Sequence, residues 1–121
     1  MASKRIGGII FLKVDGQLHK AKGSFTYNIG EGKREGIVGH DSVHGYKELP
    51  QIPMIEGAIT DDSQLNLEAL LRTQDATITL ELANEKIIVL RDAWYAGDGN
   101  VTTEEGEIEV KFEGMDGEEI R

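Results

Sequence analysis

From Glu107 to Glu113 apolar and charged residues alternate without a break. Ile108, Val110 and Phe112 fall on one side and Glu107, Glu109, Lys111 and Glu113 on the other. A period of two is the signature of a strand with one buried face and one wet face. Upstream, Ile87 to Leu90 form a consecutive apolar run that leads into Trp94, the only tryptophan, and Tyr95. Such a run suits a strand covered on both faces. Between the two, Gly97-Asp98-Gly99-Asn100 accepts positive φ at little cost. The stretch from Lys86 to Gly114 therefore predicts a long antiparallel hairpin with Ile88, Leu90, Trp94, Ile108, Val110 and Phe112 in the core.

The rest of the chain reads as more strands around one short helix. Ile9 to Val14 is strand-like, and Asp15-Gly16 then supplies a two-residue type I′ turn. That turn sets Lys13 opposite Leu18 and Leu12 opposite His19. Neither face is then cleanly apolar, because Ile9 and Phe11 share theirs with Lys20 and Lys22. Phe25, Tyr27 and Ile29 alternate in the next segment, and Met54 to Thr60 is again strand-like. Thr60-Asp61-Asp62-Ser63 offers N-cap oxygens before a helix whose Leu67, Leu70 and Leu71 share a stripe. Ile78, Leu80 and Leu82 alternate with Thr77, Thr79 and Glu81 after it. The pattern is mainly β: an antiparallel sandwich or barrel-like fold with one short flanking α-helix.

The 121 residues are enough for a single domain, spanning 1–121. At 39% apolar and 6% aromatic the core is modest, so the chain is expected to lean on neighbours for burial. Gly30 to Pro53 forms a long glycine-rich arm with mixed charges, little periodicity and both prolines of the chain. Structureless connections beyond about 12–15 residues are uncommon in compact domains and are usually functional or disordered. Ile37, Val38, Val43, Tyr46 and Leu49 are too apolar for a plain linker, and they predict an arm that anchors in a neighbouring subunit. A disordered surface loop is the alternative.

The formal charge of −9 argues against nucleic-acid binding, which draws most of its non-specific affinity from phosphate neutralisation. With no cysteine there is no disulfide or thiolate site. Met1 to Arg5 precedes only a short apolar run, and no stretch approaches the length of a membrane span. The chain reads as soluble, made in the cytoplasm and without membrane binding.

Three constellations invite a catalytic reading, and each is weak. His40, Asp41 and His44 cluster within five residues, but Gly39 and Gly45 argue against the helix that would aim both imidazoles at a metal. Gly30-Glu31-Gly32-Lys33 lacks the Ser or Thr and the helix of a phosphate loop. Ser42 and His44 have no orienting acid or oxyanion hole. Glu104-Glu105 and the acidic stretch from Glu113 through Glu119 read as solvated surface. No catalytic residue, metal ligand or cofactor site is assigned.

Three blocks in this order resemble the tail tube proteins of contractile-tailed bacteriophages, in particular the small Mu-like family. They are GGIIFLKVDGQLHKAKGSFTYNIG, PMIEGAITDDSQLNLEALLRTQDATITLEL and IIVLRDAWYAGDGNVTTEEGEIEVKFEG. Their order, spacing and combined length carry the likeness, since none is diagnostic alone. The resemblance implies a non-enzymatic structural subunit of the virion tail, without cofactors. It implies hexameric rings stacked head to tail into a hollow tube, with DNA only as cargo in the lumen. The implied partners are the chain itself, the sheath, the tape measure protein, and the baseplate and tail terminator proteins. A type VI secretion-like or phage-derived injection-device tube is the related alternative. A monomeric β-sandwich holding a small ligand against Trp94 and Tyr95 is the unrelated one.

Overall fold

The computed structural model describes residues 11–104 and 106–121. The expected start of the first strand at Ile9 and the residue Glu105 lie outside them. The chain runs β1 (Phe11–Val14), β2 (Gln17–Asn28), β3 (Lys33–Val38), β4 (Val43–Leu49) and β5 (Met54–Thr60). It continues through α1 (Leu67–Leu71), β6 (Ala76–Glu81), β7 (Ile87–Tyr95), β8 (Val101–Thr102), β9 (Glu107–Glu113) and β10 (Asp116–Ile120). The expected mainly β fold with one short helix is what forms, and its sheet closes into a six-stranded antiparallel barrel.

Neighbours around the barrel are β1, β2, β5, β9, β7 and β6, which returns to β1. Closure through β7 and β9 leaves only the short strands β8 and β10 at the sheet's ends, which limits the edge that could recruit stray strands. The β1–β2 turn has the register read from Asp15-Gly16, with Lys13 opposite Leu18 and Leu12 opposite His19. Both turn residues take positive φ, 50° and 83°, as a type I′ turn demands. Inside lie Leu12, Ile55, Ile59, Ile78, Leu80, Ile88, Leu90, Ile108, Val110 and Phe112, all buried.

Two bulges shape the wall. In β2, Lys22 faces Ala58 and Thr26 faces Glu56, so three residues oppose Gly57 alone. The ring of Phe25 takes the space above that glycine, where a Cβ would come within 2.6 Å of it. In β7, Ala76 faces Ala93 while Ile78 faces Leu90, leaving Arg91 and Asp92 opposite Thr77. Asp92 takes the left-handed φ of 50° that such an extra residue needs.

The second bulge overturns two expectations for the C-terminal hairpin. One inserted residue exchanges the faces of everything after it. Ala93, not Trp94, therefore joins Ile88 and Leu90 in the core, and Trp94 is half-buried outside that cluster. Gly97 to Asn100 is also not the tight turn of a two-strand hairpin. Short β8 comes after that loop and pairs with β9, Val101 opposite Ile108 and Thr102 opposite Glu107. Strands β7 and β9 meet only at Trp94–Glu113 and Tyr95–Phe112. Beyond that contact β10 continues along β7 in the register of β9, with Asp116 opposite Arg91 and Ile120 opposite Ile87. Gly114 and Met115 interrupt the ladder between them.

The helix departs from expectation at its start. Asn66 is the cap, its side chain accepting from the Ala69 N–H at 3.1 Å, while Asp62 instead accepts from the Gln64 N–H. Leu70 is buried against the barrel, and Glu68 pairs with Arg72 one turn on at 2.7 Å. Among the described residues no helix is long and apolar enough to cross a membrane.

Candidate assembly interface

The glycine-rich stretch is not irregular. Its β3 and β4 form a separate two-stranded sheet, with Lys33 opposite Leu49, Glu35 opposite Lys47 and Gly36 opposite Tyr46. Periodicity was hidden by Gly36 and Gly45 at strand positions and by a one-residue slip near the tip, where Val38 faces Val43. The Gly39 N–H donates to the Ser42 carbonyl at 2.7 Å to close the turn.

The pairing sorts the five anchor candidates onto two faces. Val38, Val43 and Tyr46 share one with Arg34 and Glu48, while Ile37 and Leu49 lie on the other with Lys33, Glu35 and Lys47. The first face is the more exposed, with Val38 75%, Val43 73% and Tyr46 60% accessible. The Arg34 guanidinium lies over the Tyr46 ring at 5.3 Å and pairs with Glu48 at 3.4 Å. Those contacts hold Tyr46 out from the hairpin with its ring already placed. On the other face Lys47 and Glu35 come within 3.7 Å.

Every residue of β4 is exposed. A lone two-stranded hairpin is marginally stable in water, so this one depends on what anchors it. Its root supplies that anchor. Asn28 Nδ2 donates to Gln51 Oε1 at 2.9 Å, and the Gly30 N–H donates to Asn28 Oδ1 at 2.8 Å. The Gly114 N–H donates to the Pro53 carbonyl at 3.1 Å, tying the far end of the arm to the β9–β10 joint. Gly30 has φ +88° and lies so close to Pro53 that a Cβ would come within 2.4 Å of its Cγ. The backbone of Ile29 runs close over Gly117 in β10, where a Cβ would come within 2.6 Å of the Ile29 carbonyl oxygen. Gly30 and Pro53 bounded the arm in the sequence, but the roles of Asn28, Gln51 and Gly117 at its root did not stand out. Asn28 two residues before a glycine, with Pro53 at the far end, is the signal that was there to read.

The His44 ring packs over Gly39. Among the described residues no group of three His, Cys, Asp or Glu is placed to hold a metal ion. A cleft of about 640 Å³ lies on the outer side of β2, β5 and β9 between Lys22, Glu56, Ala58, Glu109, Lys111 and the 97–100 loop. Trp94 and Tyr95 do not line it, so the expected aromatic pocket for a small ligand has no counterpart there. Tyr95 instead accepts from the Gly99 N–H at 3.2 Å and donates to the Glu109 carbonyl at 3.1 Å.

Comparison with known proteins bears on what such a barrel and arm are for. The family model described as phage tail tube protein matches residues 3–119. The chain finds no match among curated proteins. Among solved structures it is similar to the tube-terminating cap of the anti-feeding prophage, with a TM-score of 0.64 at 10% identity, covering 99% of this chain and 94% of that one. It is similar to the same degree, TM-score 0.64 at 10% identity, to the sheath/tube terminator of an extracellular contractile injection system called PVC. There the alignment covers 93% of this chain and 94% of that one. At that identity the likeness is one of fold.

Proposed function

This chain belongs to the phage tail tube protein family, and we propose that it is the repeating subunit of the tube itself. It is a structural component of the phage tail. Copies close into hexameric rings, the rings stack head to tail, and DNA passes through the hollow centre on infection. The sheath surrounds that tube, the tape measure protein occupies it during assembly, and baseplate and terminator proteins close its ends. The subunit is made in the host cytoplasm, performs no chemistry and needs no cofactor.

The observation that carries this reading is the family match over nearly the whole chain, on a barrel with a projecting apolar hairpin. Head-to-tail stacking is a heterologous contact that repeats indefinitely, so each ring face must offer a patch that fits the opposite one. The arm supplies one such patch, with Val38, Val43 and Tyr46 exposed together. Contiguous apolar surface of this kind marks interaction sites on soluble proteins.

A phage-derived injection device is the second reading, favoured by the fold shared with the two terminators. Negative-stain microscopy and size exclusion of the purified protein test the first reading. The expected result is rings or tubes about 10 nm across, a few domain diameters. A strictly monomeric species at high concentration overturns it. Single rings that never extend favour a terminating role in place of the repeating one.

A further inference from the structure

A smaller cleft, about 290 Å³, opens between the β1–β2 turn and α1, where Asp15, Gln17, His19, Leu70, Arg72 and Gln74 are among its lining residues. It lies at the end of the barrel away from the arm. Strand β2 starts at Gln17 beside the cleft and ends at Asn28 at the arm's root, and β5 runs back from Met54 to Thr60, ahead of α1. The seven residues of β5 set the two ends roughly 20 Å apart. Within the cleft His19 is only 8% exposed and makes no hydrogen bond among the described residues. Yet none of those residues has a side-chain nitrogen or oxygen that is both sealed from solvent and without a partner. The imidazole nitrogens of His19 are therefore reached through the cleft it lines. Desolvation lowers its pKa, so at neutral pH the ring is uncharged and offers one donor and one acceptor. Gln17 and Gln74 also hold no side-chain hydrogen bond among the described residues. Arg72 pairs only with Glu68, at 2.7 Å, in an exposed pair that is weakly held and leaves further N–H donors open.

Uncommitted donors and acceptors around a buried imidazole fit a polar segment of chain, and the arm ends in one. At its turn His40, Asp41 and Ser42 are exposed, and their side chains make no hydrogen bond or ion pair among the described residues. Every residue of β4 is exposed, so the arm stands away from its own barrel, and its seven residues reach roughly 20 Å. We propose that the turn Gly39–Ser42 of one copy docks in the α1 cleft of the next copy in the stack, with Asp41 meeting Arg72 and His40 meeting Asp15. This rests on the tube reading above and names the site that receives the arm. One carboxylate and one imidazole on the tip face one guanidinium and one carboxylate in the cleft. The Ser42 hydroxyl, which both donates and accepts, suits the neutral His19. Val38 and Val43 are the last pair before the turn and gain cover against Ala69 and Leu70 on the apolar wall of the cleft. Because tip and cleft belong to opposite ends of the barrel, each copy offers one forward and the other backward. A contact that repeats without closing requires that arrangement.

Exchanging the charges tests the docking, with each variant first checked for the urea midpoint of the parent. Asp41→Arg and Arg72→Glu each set like charges together and are expected to lower sedimentable polymer by about tenfold or more. Both changes in one chain restore an opposite pair, and polymer is expected to return. Because the chain has no cysteine, Asp41→Cys with Gln74→Cys provides a second measurement that disturbs the charges less. Oxidised after assembly, that protein is expected to run as a ladder of covalent multimers on a denaturing gel. An internally linked monomer would place the tip in its own cleft, and intact tubes without any crosslink would place it elsewhere. Either result overturns the proposal. So does polymer that both single charge variants form as well as the parent, or that the exchanged protein fails to recover, and these leave the tube reading standing. No rings or tubes from the unmodified protein would remove the tube reading, and the docking with it.

Discussion

Tyr95 and Phe112 meet edge to face at the seam of the barrel, with ring centroids 5.7 Å apart and planes inclined by 82°. They are also opposite residues of the two-pair ladder through which β7 and β9 close it. So short a ladder gives little cohesion by itself, and the aromatic contact lies where the sheet is thinnest. Truncating the buried partner, Phe112→Ala, is expected to cost about 3–5 kcal/mol. Phe112→Asp is expected to abolish folding, because it buries an unpaired charge. Tyr95→Phe removes only the hydroxyl that bridges Gly99 and Glu109 and is expected to cost about 1 kcal/mol. Urea unfolding followed by Trp94 fluorescence measures these losses. A Tyr95→Phe protein as stable as the parent would show that the 97–100 loop does not hold the seam.

The arm separates assembly from folding. Val38→Asp with Val43→Asp charges its more exposed face without touching the barrel core. The expected loss of stability is within about 0.5 kcal/mol, as for exposed positions generally. Sedimentation is expected to show loss of polymer. Replacing residues 32–47 by a short Gly/Ser linker is expected to act alike, since loop length costs little and the Asn28–Gln51 root survives. Ile37→Asp on the opposite face tests which side docks. Polymer lost only with Ile37→Asp would move the contact to the face that carries Leu49. Intact tubes from every variant would make the arm dispensable.

What the sequence disclosed and what it hid divide along physical lines. Local chemistry was legible: Asp15-Gly16 determines its own turn, and the alternation of Glu107–Glu113 marks which side is inside. Strand partners were not, because a period of two identifies a face and says nothing about a neighbour. Glu107–Glu113 reads equally well paired with Ile87–Tyr95 or, as it is, chiefly with Met54–Thr60 and Val101–Thr102. The bulge at Asp92 was hidden for a related reason: one extra residue reverses the faces, and Arg91-Asp92 gives only a faint break in the apolar run. The arm was legible as an unusual segment with apolar anchors. Its strands were not, because glycines occupy the positions that would have shown alternation.

His19 makes stability depend on pH. It is buried opposite Leu12, and desolvation holds its pKa below the ordinary 6.5, with the Asp62 carboxylate opposing that shift. The unfolded chain therefore takes up a proton at a pH where the folded barrel still resists it. The contribution is complete above 6.5 and falls as pH drops through the window below that value. Urea midpoints taken from about pH 7.5 to about pH 5.5 are expected to decline. In His19→Leu, which keeps the inner face apolar, the decline is expected to be shallower. Equal slopes for the two proteins would mean that other groups carry the acid sensitivity.

Gly30 is expected to control the direction of the arm. Its φ of +88° disfavours any side chain, and a Cβ there would press on Cγ and Cδ of Pro53. Gly30→Ala should therefore cost about 1–3 kcal/mol, part from the backbone and part from the collision. Pro53→Ala removes Cγ and Cδ and leaves only the backbone part. If the collision is real, Gly30→Ala costs less in the Pro53→Ala background than alone, and that difference is the coupling between the two residues. Equal costs in both backgrounds would mean that the ring of Pro53 does not brace the arm. Polymer yield is expected to follow the same order as the cost, because a hairpin leaving its root at the wrong angle presents Val38, Val43 and Tyr46 to the wrong place.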